Sequence, residues 1–63
     1  MKIVYWRIQG QKDGWYMIEF WQRKDRSDLE TVKMVTTDQE KIRYNVEKSL
    51  GNKNFTLKLQ KNI

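Results

Sequence analysis

The chain has no cysteine, no histidine, no proline and no alanine, and only three glycines among its 63 residues. Without thiols no disulfide staples the fold, and without cysteine or histidine the common tetrahedral zinc sites lack their ligands. The same absences remove the commonest general base and the most reactive nucleophile. The two serines, Ser27 and Ser49, stand in no catalytic motif. Gly10, Gly14 and Gly51 are far from phosphate-loop spacing. The expectation is therefore a protein that binds rather than catalyses, with no cofactor and no metal. No apolar run approaches the roughly 20 residues that span a bilayer, and charge at Lys2 and Arg7 interrupts the start too early for a secretory signal. No membrane association and a cytoplasmic location are expected.

What remains for packing is large. Three Trp, three Tyr and two Phe accompany several Ile, Val and Leu, and each aromatic buries roughly 150–250 Å² when it points inward. A domain this short buries only about 60% of the surface its unfolded chain exposes, so stability has to come from dense packing or from self-association, including a homodimer.

Alternation organises the first half into strands. Val4, Trp6 and Ile8 recur at period two within Ile3 to Gln9. Gly10 to Gly14 supplies a turn, its Asp-Gly pair tolerating the positive φ of a tight hairpin. From Trp15 to Arg23 the even positions Tyr16, Ile18 and Phe20 form the purer apolar face. A charged turn over Lys24 to Asp28 leads to a third alternating run, Leu29 to Thr36, with Val32 and Met34 on one side. Thr37-Asp38-Gln39-Glu40 fits a capping box with Thr37 as the cap. Ile42, Val46 and Leu50 make a helical stripe at spacing four, and Gly51 is placed to end it in the left-handed conformation. Phe55, Leu57 and Leu59 alternate as a last strand. The prediction is a single α+β domain over residues 1–63, a three-stranded antiparallel meander followed by one helix and a fourth strand (βββαβ). The helix packs on one face of a single sheet, and strand four lies parallel to strand one and beside it.

One helix covers one face. If it covers Val4, Trp6, Ile8, Tyr16, Ile18, Phe20, Val32, Met34, Phe55, Leu57 and Leu59, the other face carries Tyr5, Arg7, Trp15, Met17, Glu19, Trp21, Arg23, Thr31, Lys33, Val35 and Lys58. Rings interleaved with cations on an open sheet suit nucleic acid, where bases stack and phosphates meet basic groups. Tyr5, Trp15 and Trp21 are the candidate stacking residues, with Arg7, Arg23, Lys33 and Lys58 for phosphates. The same residue types are enriched at protein interfaces, so a homodimer seam or a partner protein is the alternative.

Charge is unevenly placed. Of the formal +5, none arises in residues 1–40, where seven basic residues face seven acidic ones; Lys41, Arg43, Lys48, Lys53, Lys58 and Lys61 then stand against Glu47 alone. A nucleic acid or an acidic protein surface would meet that last third first. Lys41, Arg43, Tyr44 and Lys48 lie off the helical stripe as a solvent-facing basic ridge, which also complements the helix dipole. Asp25, Asp28 and Glu30 are close enough in sequence to approach one another at the second hairpin, where paired carboxylates can bind a metal; a charged hairpin tip accounts for them without one.

The stretch from Gly14-Trp15-Tyr16 to Leu50, with its glycine-tryptophan strand start, two hairpins and a helix capped after Val35-Thr36-Thr37, is loosely similar to the arm-site DNA-binding domains at the N-terminus of phage and transposon integrases. That likeness implies a sheet face entering the major groove; the fourth strand and the absence of a recombinase domain depart from it. The short, lysine- and asparagine-rich, alanine-free composition also resembles small accessory proteins of phages and other mobile elements, many of which bind and inhibit a host protein. This implies an inhibitor or antitoxin-like role as the alternative.

Overall fold

A computed structural model describes residues 2–60 of the chain. Strands β1 (Lys2–Lys12), β2 (Trp15–Trp21) and β3 (Glu30–Met34) form an antiparallel meander, and helix α1 (Gln39–Leu50) leads to strand β4 (Phe55–Leu59). The strands form one sheet in the order β3-β2-β1-β4, with β4 parallel to β1. This is the expected βββαβ arrangement, including the place of the fourth strand.

Beneath the helix lie Val4, Trp6, Ile18, Phe20, Met34 and Phe55, closed over by Ile42 and Val46 of α1. Ile8, Tyr16, Val32, Leu50 and Leu57 pack around them at partial burial. The helix thus covers the purer alternating face. Leu59 departs from expectation: at the far end of an edge strand, with a neighbouring strand on one side only, it remains 47% exposed.

The first hairpin is tighter than its glycines suggested. β1 continues to Lys12, and only Asp13 (φ 53°) and Gly14 (φ 81°) form the turn, both left-handed as a type I′ connection requires. The extra length is absorbed by a bulge. Ile8 faces Ile18 but Gly10 faces Met17, leaving Gln9 as the additional residue. The bulge switches the parity of β1, so that Ile8 points to the core while Lys12, opposite Trp15, points away from it.

The helix cap is also displaced by one residue. Asp38, not Thr37, is the N-cap: its carboxylate accepts from the Glu40 N–H at 3.0 Å, and its carbonyl accepts the Ile42 N–H at 3.0 Å. Thr36 Oγ1 in turn accepts from the Asp38 N–H at 3.1 Å. Gly51 (φ 66°) ends the helix as expected, donating its N–H to the Glu47 carbonyl at 2.8 Å. One flank of α1 is tied to β3, where Ser49 Oγ bonds Glu30 Oε2 at 2.6 Å. On the other flank Arg43 Nη2 donates to the carbonyls of Lys53 (2.9 Å) and Phe55 (3.0 Å). The helix is thereby held across the sheet with Lys41, Asn45 and Ser49, one row at spacing four, beside β3.

Candidate functional site

The face that α1 leaves uncovered is not uniformly open. At its middle Arg7 Nε meets Glu19 Oε1 at 2.5 Å, cross-strand neighbours in register, with Glu19 buried. Toward one end Trp21 is only 4% exposed although no helix lies over it. Tyr5 stacks beside it (centroids 6.1 Å apart, planes at 23°), and the Arg26 guanidinium lies 4.5 Å from the ring centroid. Trp21, expected as a stacking platform, already has its ring covered by its own chain.

The opposite end is different. Trp15 is 44% exposed and stands with Lys33 between two hollows that both residues line. One hollow, about 540 Å³, lies on the uncovered face among Gln9, Lys12, Asp13 and Met17. The other, about 450 Å³, turns around the β3 edge to α1 and is completed by Met34, Val35, Thr36, Lys41, Tyr44 and Asn45. Tyr44 (59% exposed) and Val35 (69%) make this the place where large exposed apolar side chains gather. Among the described residues no carboxylate lines that groove. Lys48 extends it, its Nζ 5.3 Å from the Tyr44 ring centroid, a cation held over a π face. Asn45 is fixed in the floor, its amide donating to the Lys41 carbonyl at 3.0 Å and lying 3.8 Å from the Met34 sulfur.

The ten residues singled out from the sequence therefore separate into groups. Trp15, Lys33 and Lys41 line one groove, and Lys48 joins them through Tyr44. Tyr5 and Lys58 are register neighbours at the other end of the sheet, with exposed Arg23 just beyond β2. Trp15 and Trp21, six positions apart on one strand, are ~20 Å from each other at the usual rise per residue. Arg7 is engaged with Glu19, and Arg43 clamps α1 to β4 while lying 4.3 Å from the Phe55 ring centroid. Tyr44, Val35 and Asn45 complete the groove. Tyr44 was visible off the helical stripe, but only the placement of α1 beside β3 brings it opposite Trp15.

The acidic residues of the second hairpin do not converge. Asp28 accepts from the backbone N–H groups of Gln22 (2.8 Å) and Arg23 (3.1 Å), Asp25 from that of Ser27 (3.0 Å), and Glu30 turns to Ser49. Among the described residues no group of three acidic side chains has metal-binding proximity, and no helix is long and apolar enough to cross a membrane. No family model, curated protein or solved structure matches the chain.

Proposed function

We propose that this chain is a small, non-enzymatic, cytoplasmic module that binds single-stranded nucleic acid in the groove between β3 and α1. The observation that supports this most is the pairing of two half-open rings, Trp15 and Tyr44, with Lys33 and Lys41 across a lining with no carboxylate among the described residues. Unpaired bases offer their faces to such rings while the lysines neutralise phosphates. A duplex keeps its base faces stacked, so it would use the lysines and leave the rings idle. Lys12 and Lys48 lie on either side of the groove, each sharing its hollow with one carboxylate, Asp13 and Glu47 respectively.

Titration of the protein with single- and double-stranded DNA and RNA at two salt concentrations, followed by tryptophan fluorescence, tests this. Salt-sensitive quenching by single strands is expected. Trp15→Ala and Tyr44→Ala should each weaken binding by about 1–3 kcal/mol per stacked base and leave the melting temperature nearly unchanged, since neither ring belongs to the core. Lack of any response at low salt would discard the reading.

The open outer edge of β3 beside exposed Val35 favours a second reading, docking of a host protein by strand addition, as an accessory inhibitor would use. β3 is five residues long and carries Lys33. Short edge strands bearing lysine are the ordinary protection against such pairing, so nucleic acid is preferred.

A further inference from the structure

Arg26 belongs to neither the core nor the groove, yet the loop between β2 and β3 is built around it. Its backbone is left-handed (φ 60°), a conformation that a non-glycine residue rarely adopts. The turn is closed by Arg26 N–H to the Arg23 carbonyl (3.0 Å) and Leu29 N–H to the Arg26 carbonyl (3.1 Å). The carboxylates in this loop are occupied with backbone donors, Asp25 with Ser27 and Asp28 with Gln22 and Arg23. Among the described residues neither forms an ion pair with Arg26. The result is a guanidinium over the Trp21 ring, 4.5 Å from its centroid, with no ion pair to a carboxylate among the described residues. Beside it a hollow of about 170 Å³ is lined by Tyr5, Trp21, Lys24, Arg26 and Gln60, with no carboxylate among the described residues. A stacked guanidinium keeps the N–H donors along its edge, in a plane already oriented for two oxygens of one phosphate group.

We propose that Arg26, held on Trp21 and assisted by Lys24, binds a phosphodiester group at the end of the sheet remote from the Trp15–Tyr44 groove. This rests on the nucleic-acid reading of that groove and adds a second anchor on the same strand. The separation of ~20 Å along β2 corresponds to about six stacked nucleotides at 3.4 Å each. A dodecamer reaches both sites; a trinucleotide in the groove does not. Lys58, across from Tyr5 on β4, adds charge to the same end.

The test uses the whole chain and compares Arg26→Gln, which keeps much of the stem and loses the charge, with Arg26→Lys, which keeps the charge and loses the planar fork. For a single-stranded dodecamer, Arg26→Gln should lower affinity about tenfold at low salt. It should also reduce the slope of log K against log salt by about 0.7. Arg26→Lys should weaken binding while keeping the slope, and trinucleotide affinity should be unchanged in both. A loop that merely needs Arg26 for packing would lose melting temperature with no change of slope, which would overturn the proposal. Titration with inorganic phosphate while following the Arg26 Nε–H resonance separates the sources of the ligand. A response to phosphate with none to the dodecamer would also overturn the assignment to a phosphodiester. Failure of the unaltered chain to bind any oligonucleotide would remove the groove reading and this one together, whereas an unaltered slope in Arg26→Gln alongside intact wild-type binding would remove this one alone.

Discussion

Asp28 is the residue on which the second loop turns. Partial burial pushes its carboxyl up, but the backbone N–H groups of Arg23 and Gln22 outweigh that and hold it below the ordinary aspartate value. Asp25 is held down in the same direction, chiefly by the Ser27 N–H and hydroxyl. A carboxyl whose folded pKa lies below its unfolded one contributes stability at all pH values above the unfolded pKa, about 3.9 for aspartate, and loses it as pH falls through the folded value. Acidification below about pH 4 should therefore loosen the loop, release Arg26 from Trp21 and change tryptophan emission before the core melts. Asp28→Asn should lower the melting temperature most at neutral pH, and the difference from the unaltered chain should be smaller at about pH 2. An equal deficit at both pH values would show that the carboxylate charge has no part in closing this loop. Trp21 also shows what alternation alone leaves out. Period two assigned it correctly to the face away from the helix, but the face says nothing about cover, which here comes from Tyr5 on the next strand and from a loop arginine with no periodic signal.

Among the elements, the first hairpin shows how local chemistry and register share control. Asp13-Gly14 was readable as a turn because few residue pairs tolerate two positive φ angles. The bulge at Gln9 was not, because a bulge exists only in the pairing of two strands and leaves no mark on one of them. The helix cap shifted for a related reason: Thr37 and Asp38 are both competent caps, and the backbone entering from β3 selects Asp38. Helix and strands were otherwise legible, since Ile42 and Val46 against Val4, Trp6, Ile18 and Phe20 is the arrangement their periods require. The groove was legible only in pieces, Trp15 and Lys33 on two strands, Lys41 on a helix, because the distance between elements is a tertiary quantity. The hairpin gives a direct test of local control. A Cβ at Gly14 would meet nothing within 4 Å, so Gly14→Ala has no steric clash and suffers only from its φ of 81°. A left-handed L-residue costs roughly 1–2 kcal/mol, and each kcal/mol shifts the melting temperature of a domain this size by roughly 4–8 °C. Gly10 has equal room and no positive φ, so Gly10→Ala should be neutral or slightly stabilising. Equal losses in both variants would mean that strain at the turn does not set the stability of this hairpin.

For the whole molecule the decisive quantity is where the charge of +5 goes when the chain folds. In sequence the excess sits in the last third. In the structure α1 carries Lys41 to the Trp15 end and Lys48 past Tyr44, farther along the helix, and β4 carries Lys58 to the Tyr5 end. One block of cations becomes two flanks of a sheet whose centre is neutralised by Arg7 and Glu19. Like charges spread over so small a body repel one another, and added salt weakens that repulsion. Salt also weakens contacts to phosphates, so the two responses should have opposite signs. If the four lysines of the groove and its flanks each neutralise one phosphate, the affinity for a single strand should fall about fifty-fold between 50 and 200 mM salt. Over the same range the melting temperature should hold or rise. A chain that acts as a monomer should also melt independently of its own concentration, because it gains nothing by mass action. A melting temperature that climbs with concentration would instead assign the exposed Trp15, Val35 and Tyr44 to a contact between copies. An apolar contact of that kind would respond little to salt, since a Trp-centred interface draws its energy from buried rings rather than from released counterions.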